Sequence, residues 1–438
     1  MYSINATPPA ALPPELRPRR APTNHIGVPG AQGFGVGVCP ALPAGFVALR
    51  GHDVPSSDNY GNYRYADGST MVWIPAFYYL WGTGANGLAV NVVSLKPYSA
   101  FTDVGAANAA GYALHRAFYD GGSIQPGFFV DKYIPSRNGG IASSIKNGVV
   151  LTSAARGSLS NEQLSNLNGA PADTYGGAIA AAKTRGNSFF CSSRFIFAAL
   201  ALLAYAHAQA SASTTYCAWY NATYNTPKGC NNNALGDDRD AAILYVNDNN
   251  GTYPCPYTGS ANLFSRTTHN GQNCGVADLN GVIWEITPGL TSNGTNYYIL
   301  KTSVAMKSVT AGNTLATDLW GATGIAAQYD DLGTTYGPLW ATGANRTVTY
   351  GAATQVFSEA TSGNDWNAAG LGVPLTTGLG GTNAFGSDIL YDYKPNEICP
   401  ISGGNWNYGS LAGVWTLYLG NTRPNSHFYV GFRAALYL

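Results

Sequence analysis

Charge is scarce in this sequence. Only 11% of its 438 residues are charged, the two signs balance at 23 each, and the one basic cluster is the short Arg17–Arg20 stretch. Phosphate recognition relies on clustered cations, so nucleic acid is not an expected partner. Long apolar runs are missing too. The longest, Phe195–Ala206, has about 12 residues, against the ~20 a membrane-spanning helix needs, so membrane insertion is not expected. The opening MYSINATPPAALPPELRPRR lacks a basic segment followed by an apolar core, and a secretory signal peptide is not expected.

Catalytic and metal signatures are equally thin. The seven cysteines (Cys39, Cys191, Cys217, Cys230, Cys255, Cys274, Cys399) include no CxxC pair and no zinc spacing with histidine. Buried free thiols are the default reading, with a pairing among Cys217, Cys230 and Cys255 left open. The six histidines are scattered, and no GxSxG, HExxH, P-loop or dinucleotide fingerprint is present. Asp330-Asp331 has the chemistry for half of a glycosidase pair, although an exposed turn ahead of Gly333 is the favoured reading. Asp237, Asp238 and Asp240 are oxygen ligands that suit a structural calcium, set against a plain solvated turn. Glu285 is expected to be a partly buried carboxylate held by structural hydrogen bonds. No catalytic residue, no metal site and no cofactor is assigned, and the chain is not expected to be an enzyme.

Glycine (54), tyrosine (29) and many Asn-Gly, Gly-Thr and Ser-Gly steps are what the sequence has in quantity. Such a chain turns often and presents a polar, uncharged surface. Tyrosine among small polar neighbours also suits recognition, because it combines rigid amphipathic contacts with adaptable ones. Residues 1–45, rich in proline, glycine and alanine, read as an extended N-terminal arm or assembly segment. Residues 46–438 read as one domain. Within it Met71–Leu80 and Gly127–Ile134 are aromatic, β-prone runs, and Val276–Ile286 and Tyr297–Val304 are further strand-like stretches. Thr174–Arg185 reads as a helix stopped by Gly186, and a second helix capped at Asn187 or Ser188 extends to about Gln209. Residues 212–270 and 305–395 read as long loops, a length that normally signals function or insertion.

Four pieces in order, MVWIPAFYYLWG, GFFVDKYI, GVADLNGVIWEI and the closing GGNW…VGFR, resemble the formylglycine-generating-enzyme-like branch of the C-type lectin fold. The whole ending, residues 403–438, is similar to the variable region of diversity-generating-retroelement target proteins, among them phage tropism determinants. The resemblance implies an α+β C-type-lectin-like fold with long insertions. It departs from the oxidase branch, whose reactive cysteine pair is absent from Asn405–Val430, and from calcium-dependent lectins, since only Lys394-Pro395-Asn396 and Asn364-Asp365-Trp366 stand near their sugar-binding triplets.

In such variable proteins, the resemblance implies, template adenines are copied unfaithfully, so that an AAC asparagine codon changes at its first two bases. Departures from asparagine fall at Tyr408, Leu411, Tyr418, Gly420, His427, Phe428 and Tyr429, and every one of those residue types is reachable in that way. Tryptophan is not, which makes Trp406 and Trp415 invariant scaffold, and Gly403, Gly404, Gly409, Val414, Leu417, Leu419, Val430, Gly431, Phe432 and Arg433 are expected to hold the backbone beside them. Alternation along Trp415–Leu419 places Trp415, Leu417 and Leu419 on one face and Thr416 and Tyr418 on the other. The expected function is binding of a host cell-surface protein or glycan by a phage or prophage tail-fibre tip in the virion, in contact with other tail proteins and as a homotrimer. The alternatives are a phage depolymerase acting on surface glycans and a variable protein displayed on a bacterial cell surface.

Overall fold

In the computed structural model, residues 20–81, 93–221, 241–246, 255–309, 325–334, 346–350, 360–373 and 387–438 are described. The candidate calcium ligands Asp237, Asp238 and Asp240, and Cys230, lie outside them. In chain order the main elements are strands β1 (Phe46–Ala48), β2 (Asn62–Tyr65), β3 (Thr70–Pro75) and β4 (Gly127–Asp131), helix α1 (Tyr175–Ala181), strand β5 (Phe190–Cys191), helix α2 (Arg194–Ala210), strands β6 (Trp284–Ile286) and β7 (Arg346–Thr349), helix α3 (Gly363–Leu371), and strands β8 (Ile389–Asp392), β9 (Ile401–Ser402), β10 (Leu417–Tyr418), β11 (Val430–Phe432) and β12 (Ala434–Tyr437). Helix and strand are mixed around open sheets, an α+β arrangement.

One six-stranded sheet runs β1-β2-β3-β4-β12-β5 and is antiparallel throughout. The other runs β7-β8-β10-β9-β6-β11, with parallel pairings at β8–β10 and β6–β11. The chain's last strand, β12, thus sits inside the first sheet, while β8 to β11 build most of the second. A continuous apolar core joins them: Trp73, Phe128 and Phe129 from the first sheet, Ile286 and Phe432 from the second, and nearly all of α2. Among the described residues no helix is long and apolar enough to cross a membrane.

The helix expected at Thr174–Arg185 forms as α1 continued by a 3-10 turn over Ala182–Arg185, with the Thr174 hydroxyl accepting from the Gly177 amide. The second helix starts later than expected. Phe190–Cys191 is taken up by pairing with Ala434–Ala435, and the cap falls to Ser193, whose hydroxyl accepts from the Ile196 amide at 3.3 Å. The Met71–Leu80 run divides at Ala76 into β3 and the strand Phe77–Trp81, which pairs in a separate small sheet. The Val276–Ile286 stretch is regular only at β6, and Gly127–Ile134 only as far as Asp131. Helix α3 falls inside the span read as loop.

Residues 20–45 differ from the expected extended arm. Ile26, Phe34 and Val36 are buried in the core, and several of the segment's backbone groups are tied to distant side chains. The Gly30 amide donates to His207 Nδ1 at 3.0 Å, the Gly35 carbonyl meets His269 Nε2 at 3.1 Å, and Asn270 donates to the Phe34 carbonyl at 2.8 Å. Few side chains are large here, so docking relies on backbone groups, which composition does not reveal.

Candidate functional site

The terminal segment is fixed at both ends before any of its surface is considered. β9 leads in, paired with β6 and β10. β11 leads out, parallel to β6 in the register Trp284↔Val430, Glu285↔Gly431, Ile286↔Phe432. Arg433 follows, fully buried, and all five of its N–H donors are used. Nε and Nη2 donate to the two Glu285 carboxylate oxygens at 2.8 Å, Nη2 also to the Ala277 carbonyl, and Nη1 to the carbonyls of Asp131 and Lys132. Glu285, expected to be partly buried, is 1% exposed. Its pairing stands next to a second one, in which Arg185 donates to both oxygens of Asp131 while Asp131 also accepts from the Ala434 amide.

Of the scaffold residues named from the sequence, Gly403, Gly404, Trp406, Val414, Trp415, Leu417, Leu419, Val430, Gly431, Phe432 and Arg433 are buried, and Gly409 is partly exposed. Gly403 has φ +92°, and a Cβ there would stand 2.7 Å from the Leu279 carbonyl oxygen, so both the turn and the close approach to the 279–281 loop call for glycine. The Trp415 amide donates to Asp388 Oδ2 at 2.9 Å.

Every residue named as variable is partly exposed: Tyr408, Leu411, Tyr418, Gly420, His427, Phe428 and Tyr429. The aromatic ones are not scattered. Tyr408 and Tyr418 stand edge-on or tilted on the buried Trp284 ring, at 5.0 and 6.0 Å between centroids. Tyr429 stacks on His427 at 4.8 Å and meets Phe428 edge-on at 5.0 Å. The two groups adjoin, since Tyr429 lies within electrostatic reach of both Tyr408 and Tyr418. Burial and neighbouring tyrosines push the Tyr408 and Tyr418 hydroxyls up from their ordinary titration range, and burial does the same for Tyr429, so these groups stay protonated and available to donate. Desolvation pulls His427 down, favouring the neutral ring.

The expected alternation holds for Trp415, Leu417 and Leu419, which are buried, and for Tyr418, which is partly exposed. It fails at Thr416. Thr416 is fully buried because its hydroxyl donates to the Leu411 carbonyl and accepts from the Ile389 amide, closing the loop on which Leu411 sits.

Several members of this surface escaped the sequence reading. In β8, Tyr391 lies beside Tyr418 in parallel register, with ring centroids 4.7 Å apart. Tyr393 is 5.8 Å from Tyr418 and nearly parallel to Tyr391, at 6.3 Å and 13°. Tyr393, Lys394, Pro395, Tyr418 and Gly420 together line a cavity of about 230 Å³. The one available signal was the alternation Tyr391-Asp392-Tyr393, which marks a strand with two tyrosines on one face. Tyr175, on α1, approaches the cluster from behind at 5.9 Å from His427.

Other candidates lie apart from this surface. Asp330 and Asp331 are exposed on the strand Tyr329–Gly333, where Asp331 accepts from Asn296 and from the Gly333 amide. Asp365 occupies the first turn of α3, and Asn396 bridges to Asn293. Cys217 and Cys255 are both buried free thiols, as are Cys39, Cys191, Cys274 and Cys399. Among the described residues no group of three or more His, Cys, Asp or Glu side chains is placed to hold a metal ion.

No protein-family model and no curated protein matches the sequence. Among solved structures the chain is similar to the Major Tropism Determinant I1 and U1 variants, with 12% identity, TM-scores of 0.29 and 0.30, and coverage of 91% of this chain and 73% of those chains. The M1 variant is similar at 12% identity and TM-score 0.30, over 86% of this chain and 64% of its own.

Proposed function

We propose that this chain is a receptor-binding adhesin whose surface, formed by Tyr408, Leu411, Tyr418, Gly420, His427, Phe428 and Tyr429, is diversified while its framework stays constant. One observation carries the reading: the seven positions proposed to vary are all partly exposed, while Trp406 and Trp415, which asparagine-codon mutagenesis cannot produce, are buried. Clustered aromatic side chains over a buried Trp284 floor suit a binding hot spot. Protonated tyrosine hydroxyls offer hydrogen bonds to a ligand, and we read the chain as a binding protein rather than an enzyme. The setting that fits is a phage or prophage tail-fibre tip contacting a host-surface protein or glycan. Several copies, as in a homotrimer, multiply modest single-site affinity.

The test is a library of purified chains randomised at the seven positions. Most members are expected to keep the parent's melting temperature within a few degrees while differing in adhesion to a panel of bacterial cells. Unfolding of most members, or adhesion identical across the library, would refute the proposal.

A further inference from the structure

The cavity beside Tyr418 has two walls of different origin. Gly420 and Tyr418 belong to the segment proposed to vary, whereas Tyr393, Lys394 and Pro395 lie ahead of it in sequence and keep their identity whatever happens at residues 403–438. The constant wall is firmly held. The Glu397 amide donates to the Ser292 carbonyl at 2.6 Å, Ser292 donates through its hydroxyl to the Pro395 carbonyl, and Asn396 bridges to Asn293. Tyr391 backs Tyr393 with a nearly parallel ring. Lys394 lies with its ammonium 4.9 Å from the Tyr297 ring centroid and donates to the Thr334 carbonyl at 2.8 Å, leaving two donors free for a ligand.

We propose that the constant wall of this cavity, Tyr393, Lys394 and Pro395, is an anchor for one acidic sugar residue of a surface glycan, to which the variable positions add specificity. The proposal rests on the adhesin reading and names the ligand class of that site. The dimensions support it: about 230 Å³ is below the range of pockets that hold drug-sized ligands and suits a single ring. The tyrosine faces offer the flat apolar surface and the hydroxyls that a sugar ring needs on its two kinds of edge. An aromatic enclosure alone would equally attract a cation. Lys394 in the wall reverses that preference, because it repels a cation and pairs with a carboxylate or sulfate. Gly420 keeps the cavity open. A Cβ there would come within 2.7 Å of the Tyr418 ring, so any larger residue at 420 displaces Tyr418 and reshapes the variable wall.

The experiment uses the full chain and three probes in calorimetric titration: a four-residue oligogalacturonate, maltotetraose as its neutral counterpart, and tetraglutamate as an acidic peptide. Oligogalacturonate is expected to bind at least tenfold more tightly than either of the others. Lys394→Gln and Tyr393→Ala are each expected to weaken it by roughly tenfold, equivalent to ~1.4 kcal/mol, at an unchanged melting temperature, while the exposed charge control Lys307→Gln leaves it unaltered. Equal binding of maltotetraose, equal binding of tetraglutamate, indifference to both cavity substitutions, or no oligogalacturonate binding overturns the proposal. The adhesin reading is judged separately by cell adhesion of the seven-position library, so a chain that adheres to cells yet ignores the acidic sugar loses only the anchor subsite.

Discussion

Arg433 and Tyr418 are fifteen residues apart in sequence, yet they stand at opposite ends of the energetic scale. Removing one partner of a buried ion pair leaves the other charge uncompensated, at a cost of about 3–5 kcal/mol. Arg433→Met should therefore lower the unfolding free energy by that order in urea denaturation. Adding Glu285→Leu should recover only part of the loss, because the carbonyls of Asp131 and Ala277 still lack the Arg433 donor and that of Lys132 keeps only the Ala277 amide. Full recovery in the double variant would show that the carbonyl contacts are dispensable. Trp415→Ala, which empties a fully buried site, should cost about 3–5 kcal/mol. Tyr418→Ala and Tyr429→Ala, at partly exposed positions, should each cost less than about 1.5 kcal/mol, below the range of buried large-to-small changes. This contrast in melting temperature is the stability counterpart of the division between framework and surface.

At the scale of elements, residues 20–45 are held to the domain by neutral histidines. In both His207 and His269 the Nδ1 atom accepts a backbone amide, from Gly30 and Val276, so the proton sits on Nε2 and faces the carbonyl of Tyr216 or Gly35. Desolvation lowers them to about 4 and about 3. With the segment undocked, His207 and His269 take up protons below the ordinary histidine value of 6.5, and with it docked they resist protonation until about pH 4 and about pH 3, so docking is strongest above pH 6.5 and weakens as pH falls toward 4. Hydrogen exchange should show amides from Ile26 to Gly37 losing protection over that interval before β3 and β4 do. Uniform loss of protection across the chain would refute this order. The docking was not legible in the sequence because its partners are 177 and 234 residues distant. The constant wall of Tyr391, Tyr393 and Lys394 was missed for a related reason: it becomes part of the site only through the parallel pairing of β8 with β10. What could be read locally was read, namely α1 with its Thr174 cap, the burial of the two tryptophans, and the seven partly exposed positions, because each depends on near neighbours or on codon chemistry. Thr416 was misplaced because its hydroxyl closes a loop, a bond that alternation cannot foresee.

For the molecule as a whole, the end of the chain is an internal part of the architecture. β12 lies between β4 and β5 in the first sheet, and Ala434, Ala435 and Leu436 are buried there. Removing residues 434–438 should therefore abolish cooperative thermal unfolding, whereas trimming Leu438 alone, which is 41% exposed, should leave it intact. A cooperative transition in the longer truncation would mean that the first sheet closes without β12.

Because β9 and β11 clamp the intervening stretch from both sides, diversification as proposed would leave its ends brought together in every version of the sequence between them. A newly written surface inherits a rigid outline instead of having to find one, and the entropy that a free loop would lose on meeting its target is already gone. Under the proposed function, mediocre amino-acid choices would still grip, and a lineage sampling at random would begin its search from weak binders rather than from none.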